Sequence, residues 1–74
     1  MSTGKRIPFK VKLIKIMAEQ GKTWLGMRES CGVCRETVWK GIRRRPTLCA
    51  IAYFLEMRVE DLVEGTEMED IWYS

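Results

Sequence analysis

Histidine is absent from this 74-residue sequence. With it goes the commonest general base at neutral pH and the commonest metal-ligating side chain. Cysteine occurs only three times, as Cys31, Cys34 and Cys49. An odd count argues against a disulfide framework and fits a reducing compartment. Cys31-x-x-Cys34 has the spacing of a metal-binding half-site, but a structural zinc needs four ligands and Cys49 would be only the third. A redox pair would call for a strand feeding a helix, which the pattern does not contain. Cys31 and Cys49 therefore read as small core residues, and Cys34 as a helix-start residue whose thiol pKa can fall. No apolar run approaches the ~20 residues of a membrane span, and the polar start does not resemble a secretory signal. The expectation is a cytoplasmic protein with no membrane partner. There is no glycine-rich phosphate loop and no His-Glu-x-x-His pair. Glu60, Asp61, Glu64, Glu67, Glu69 and Asp70 form an acidic stretch without an apolar cleft to shift their pKa values for acid–base work. They read as a solvated end. No catalytic residue, cofactor, metal or small-molecule ligand is expected, and the chain is not expected to be an enzyme.

Acidic residues are scarce in one part of the chain only. Residues 1–45 hold 12 Lys/Arg and 3 Asp/Glu, whereas residues 46–74 hold 1 Arg and 7 Asp/Glu. The net charge of +3 conceals this division. A basic segment suits a polyanion, which the acidic remainder would repel, so one face would meet nucleic acid while the other turned away. A merely solvated charge distribution is the alternative. The length allows one domain, residues 1–74. It has little room for a deep pocket, and its stability margin should be thin, roughly 3–5 kcal/mol.

The hydrophobic pattern is helical throughout. Residues 1–7 read as a loose basic arm. Pro8 suits a helix start, and Phe9, Leu13, Ile16 and Met17 share one face of a first helix over 9–20, with Val11 and Ile14 blurring the stripe. Gly21 ends it. Thr23 caps a short second helix to about Ser30. Gly32 closes that helix, and a polar third helix runs from about Cys34 to Ile42, with Val38 and Ile42 on one side. Arg43, Arg44, Arg45 and Pro46 read as a cationic turn. Thr47 then caps a strongly apolar fourth helix over 47–57, the expected centre of the core. A fifth lies in 59–65. Thr66-x-x-Glu69 has the spacing of a capping box, which leaves room for a last helical turn in the tail, 66–74.

A short helix, a glycine turn and a polar helix, Thr23 to Ile42, have the form of a helix-turn-helix. The stretch Thr23-Trp24-Leu25-Gly26-Met27-Arg28-Glu29-Ser30-Cys31-Gly32-Val33-Cys34-Arg35-Glu36-Thr37-Val38-Trp39 resembles the Cro and phage-repressor (XRE-type) helix-turn-helix family. That family typically reads Thr-Gln-x-x-Leu-Ala-x-x-x-Gly-Val-Ser-x-x-x-Ile-Ser. The run TLCAIAYFLEMRVEDLV resembles the family's fourth and fifth helices, so the likeness covers about residues 9–64. Trp24 stands where the family often has Gln, Arg28 where it has a small Ala, and Cys34 where it has a Ser or Thr cap.

The resemblance implies an all-α, compact five-helix bundle of the lambda-repressor-like type. It also implies a transcriptional regulator, such as a phage or mobile-element repressor, that binds double-stranded DNA as a homodimer on half-sites about one helical turn apart. Its base-contacting positions fall on Arg35, Glu36, Trp39 and Lys40. Arg35 would pair with guanine and Glu36 with cytosine, unless Glu36 only orients Arg35. Trp39 would meet a thymine methyl or a sugar edge, unless it packs in the core. Phosphate contacts would come from Lys22, Thr23, Arg43, Arg44 and Arg45, and Lys5 and Arg6 could trail along the backbone. Met68, Ile71, Trp72 and Tyr73 are the candidate dimer surface; the alternative is a tail folded over the chain's own core. Two other functions remain open: a protein-interaction module of antitoxin or anti-repressor type, and a DNA-bending recombination accessory factor.

Overall fold

A computed structural model describes residues 6–74, and Lys5 falls outside them. The described residues form six helices and no strand. The expected all-helical class is therefore present, and the tail supplies a sixth helix beyond the five expected.

Helix α1, Phe9–Gln20, buries Phe9, Leu13 and Met17 and leaves Val11 and Ile14 about half exposed. Pro8 precedes it with no side-chain cap of its own. The cap comes from far along the chain: the Glu67 carboxylate accepts the Phe9 backbone N–H at 2.9 Å. The residues ahead of α1 are not a loose arm where they are described. Ile7 N–H bonds Gly65 C=O at 2.9 Å, and Arg6 pairs with Asp70 at 2.7 Å. A backbone bond and an ion pair hold Arg6 and Ile7 against the tail.

Helix α2, Trp24–Cys31, starts as expected: Thr23 Oγ1 accepts the Gly26 N–H at 3.1 Å. Gly26 is tolerated inside it for a steric reason. A Cβ there would stand 3.3 Å from that same hydroxyl and 3.7 Å from the Phe54 ring. Gly32 then takes φ +73°, a left-handed conformation that carries the chain off the helix axis. Three residues later α3, Arg35–Lys40, begins. It is shorter than the expected 34–42. Gly41 adopts φ +97°, ψ 120°, which stops the helix, and Ile42 reaches the core from outside it.

Helix α4, Arg45–Phe54, starts and stops earlier than expected. Thr47 is not its cap. Arg44 holds that position in an extended conformation, and Pro46 sits in the first turn, where its missing N–H costs nothing. The helix ends before Glu56, a non-glycine residue at φ +57°. Leu48, Ile51, Ala52 and Leu55 are buried, and α4 packs against α2 and two later helices, α5 (Val59–Val63) and α6 (Met68–Tyr73). It is the centre of the core. The capping box is not formed. Thr66 is fully buried; its hydroxyl donates to Val63 C=O at 2.7 Å and accepts from Met68 N–H at 3.2 Å. Its own N–H bonds Val63 C=O rather than the Glu69 carboxylate.

Cys49 is exposed, contrary to its expected place in the core, because it lies on the outer side of α4 away from Leu48 and Ile51. Cys31 is half-buried and its thiol contacts Met27 C=O at 3.2 Å. Among the described residues, no helix is long and apolar enough to cross a membrane.

Candidate nucleic-acid interface

Helix α3 is anchored from one side. Val33 in the turn, Val38 within the helix and Ile42 beyond it are all buried. That leaves Arg35, Glu36, Thr37, Trp39 and Lys40 on the outer surface. All four expected base-contacting residues are thus exposed together on one short helix. Glu36 does not pair with Arg35. Instead the Arg35 guanidinium lies over the Trp39 ring, 5.1 Å from its centroid. Trp39 is 42% exposed, so it is not a core residue. It meets Trp24 edge-to-face, with centroids 5.7 Å apart and planes at 73°. Lys10 of α1 adds a second cation 5.4 Å from the same ring centroid.

The five expected phosphate-contacting residues divide by what holds them. Arg43 and Arg44 are exposed, and among the described residues neither has an ion-pair partner. Thr23 is exposed, with its hydroxyl oxygen engaged by Gly26 N–H. Lys22 is committed elsewhere. Its ammonium donates to Phe54 C=O at 2.7 Å, lies 4.8 Å from the Phe54 ring centroid and stands 3.6 Å from Glu56. It satisfies the C-terminal end of α4, where a cation complements the free carbonyls and the helix dipole. Arg45 is likewise committed: Nε and Nη2 both donate to Trp72 C=O, at 3.2 and 2.6 Å. Lys12 does the same for α5, donating to Asp61 C=O at 2.6 Å and Glu64 C=O at 2.7 Å. The basic charge visible in the sequence is therefore partly structural.

The tail is largely covered. Of its apolar residues, Met68 is buried, Ile71 and Trp72 pack half-buried against the core, and Tyr73 is largely exposed. Of the candidate dimer surface, Met68 is spent on the chain's own core. The acidic end is not simply solvated either: Glu67 caps α1 and Asp70 binds Arg6. The Arg6 hydrogen bond, and then its charge, hold the Asp70 carboxyl below its ordinary pKa.

Cys34 occupies the position before α3, with Sγ 3.4 Å from the Thr37 hydroxyl. That hydroxyl, followed by the Thr37 backbone amide, lowers the thiol's pKa. Among the described residues, no cluster of three or more Cys, Asp or Glu side chains could hold a metal ion.

Sequence reasoning missed two residues of this surface. Trp24 carried a signal, an indole beside a helix cap where a polar side chain is usual. Lys10 carried none, because only the fold brings α1 to α3. Comparison of the chain with family models, curated proteins and solved structures finds no match.

Proposed function

We propose that this chain binds duplex DNA sequence-specifically and acts as a small transcriptional regulator, with α2, the Gly32 turn and α3 working as a helix-turn-helix. One observation carries the reading. Arg35, Lys40, Arg43 and Arg44 are exposed on and just after α3, and none has an ion-pair partner among the described residues. A helix held from behind by Val38 and Ile42, with free cations in front, has the shape and charge to enter a major groove.

In this reading Arg35 donates to guanine O6 and N7, worth about 1–3 kcal/mol of discrimination. Glu36 accepts from cytosine N4, and Lys40 reaches a guanine or a phosphate. Trp39 offers an apolar edge to a thymine methyl. Arg43 and Arg44 hold phosphates and set the register of α3 on the duplex.

The test is selection from a random duplex library, repeated with Arg35→Ala. The wild-type chain should enrich one motif, and the variant should lose preference at one base pair. No enriched motif would overturn the reading. A protein-interaction module of antitoxin or anti-repressor type is favoured by one feature, the exposed apolar side chains of Val11, Ile14 and Leu25. That second reading requires no duplex affinity at any salt concentration.

A further inference from the structure

We infer that Trp24 and Trp39 are positioning residues that aim Arg35 at its base pair; the inference rests on the DNA-reading function proposed above. Arg35 and Trp39 are four residues apart on α3, so their side chains share a face. The guanidinium carbon lies 5.1 Å from the indole centroid. An arginine on an exposed helix otherwise samples many rotamers, and a guanidinium stacked on an aromatic face is held to a few. The neighbouring carboxylate does not do this work, since Arg35 and Glu36 form no ion pair.

Trp39 needs fixing in its turn. It is 42% exposed on a six-residue helix. Trp24 supplies the brace. It is half-buried against the core, at the first position of α2, beside the Thr23 cap. Its ring meets Trp39 at 5.7 Å and 73°, the edge-to-face geometry that aromatic pairs prefer. A line of contact thus runs from the core through Trp24 and Trp39 to Arg35.

Lys10 sharpens the argument. Its ammonium and the Arg35 guanidinium each lie within 5.4 Å of one ring centroid. Neither has an ion-pair partner among the described residues. Two like charges gathered on one ring repel each other. The arrangement gains when electronegative groups, a phosphate for Lys10 and a guanine edge for Arg35, arrive together.

The experiment uses the full chain and the motif it enriches, with the base pair read by Arg35 assigned through Arg35→Ala. Trp24→Leu should reduce preference at that base pair by about 2- to 5-fold, the equivalent of one exposed cation–π contact. The slope of affinity against salt should match wild type, because no phosphate contact is lost. Trp24→Phe should keep most of the preference. Undiminished preference in Trp24→Leu overturns the inference. If Trp24→Leu does not fold, Trp39→Phe and Trp39→Leu decide: preference kept by Phe and lost by Leu supports the inference, and equal behaviour overturns it.

The side-chain Nε–H resonance of Arg35 is followed alongside. It should be shifted upfield by the Trp39 ring current in the free protein. A wild-type chain that enriches no motif overturns the proposed function. A shifted Arg35 resonance would then still support the Trp24–Trp39 brace, and an unshifted one would overturn the brace as well.

Discussion

Arg45 donates two hydrogen bonds to the backbone carbonyl of Trp72, and its guanidinium lies 5.3 Å from the Trp72 ring centroid. The start of α4 is thereby fastened to the end of α6. With Glu67 on Phe9 and Asp70 on Arg6, this contact makes the tail a brace across the fold. The brace also ends at Arg45, next to Arg44 and two residues from Arg43, so it fixes the base of the segment that carries them.

A tail that belongs to the core has a stability signature. Met68→Ala removes a buried side chain and should cost about 2–4 kcal/mol in urea unfolding. The loss should be the same at low and high protein concentration. A tail that served only to join two copies would instead show a loss that depends on concentration, together with a fall in solution mass. Invariance of both mass and stability would show that Met68 is not buried.

The Arg6–Asp70 pair makes stability depend on pH in one direction. The folded-state pKa of Asp70 is depressed below its ordinary value of 3.8. The pair's contribution is therefore fully present above that value and is lost as the pH falls through the lower, folded-state pKa. Asp70→Asn should flatten this part of the acid limb in a series of urea melts from neutral pH downward. Both partners are exposed, so added salt should diminish the effect. A variant with the wild-type acid limb would count against the pair.

The Thr37 hydroxyl favours the thiolate of Cys34. Alkylation of Cys34, followed by mass spectrometry, should reach half its maximal rate below the pH at which a free cysteine does. Thr37→Val should move that midpoint upward. Only the thiolate reacts, so the rate reports the ionised fraction directly. An unmoved midpoint would remove the hydroxyl as the cause.

The elements were legible because their signals are local. Pro8 and Gly21 bracket α1, Thr23 and Gly32 bracket α2, and the stripe Leu48, Ile51, Ala52 and Leu55 marks the buried face of α4. What the sequence hid were contacts between distant residues. Nothing near Pro8 says that Glu67 caps α1, and nothing near Pro46 says that Arg45 bonds Trp72. The Thr66-x-x-Glu69 spacing misled because burial gave the hydroxyl a nearer partner in Val63. Charge misled in the same way. Lys12, Lys22 and Arg45 read as free cations in a sequence, yet each ends on a helix carbonyl. Exposure of Arg35, Glu36 and Lys40 was legible because α3 carries a single buried position, Val38, whereas the sequence left Trp39 open between groove and core.

That division among the basic residues predicts how DNA affinity responds to salt. Each phosphate contact releases counterions and adds about 0.9 to the slope of log affinity against log salt. Arg43→Ala and Arg44→Ala should each lower the slope by about that amount and leave unfolding unchanged, since neither side chain makes an ion pair among the described residues. Lys22→Ala should do the opposite. Its ammonium is spent on Phe54 C=O, so the slope should hold while stability falls by about 0.5–1.5 kcal/mol. Arg45→Ala should behave like Lys22→Ala, because its donors are taken by Trp72. If instead all four substitutions lower the slope alike, Lys22 and Arg45 leave their carbonyls on binding and reach the phosphates after all.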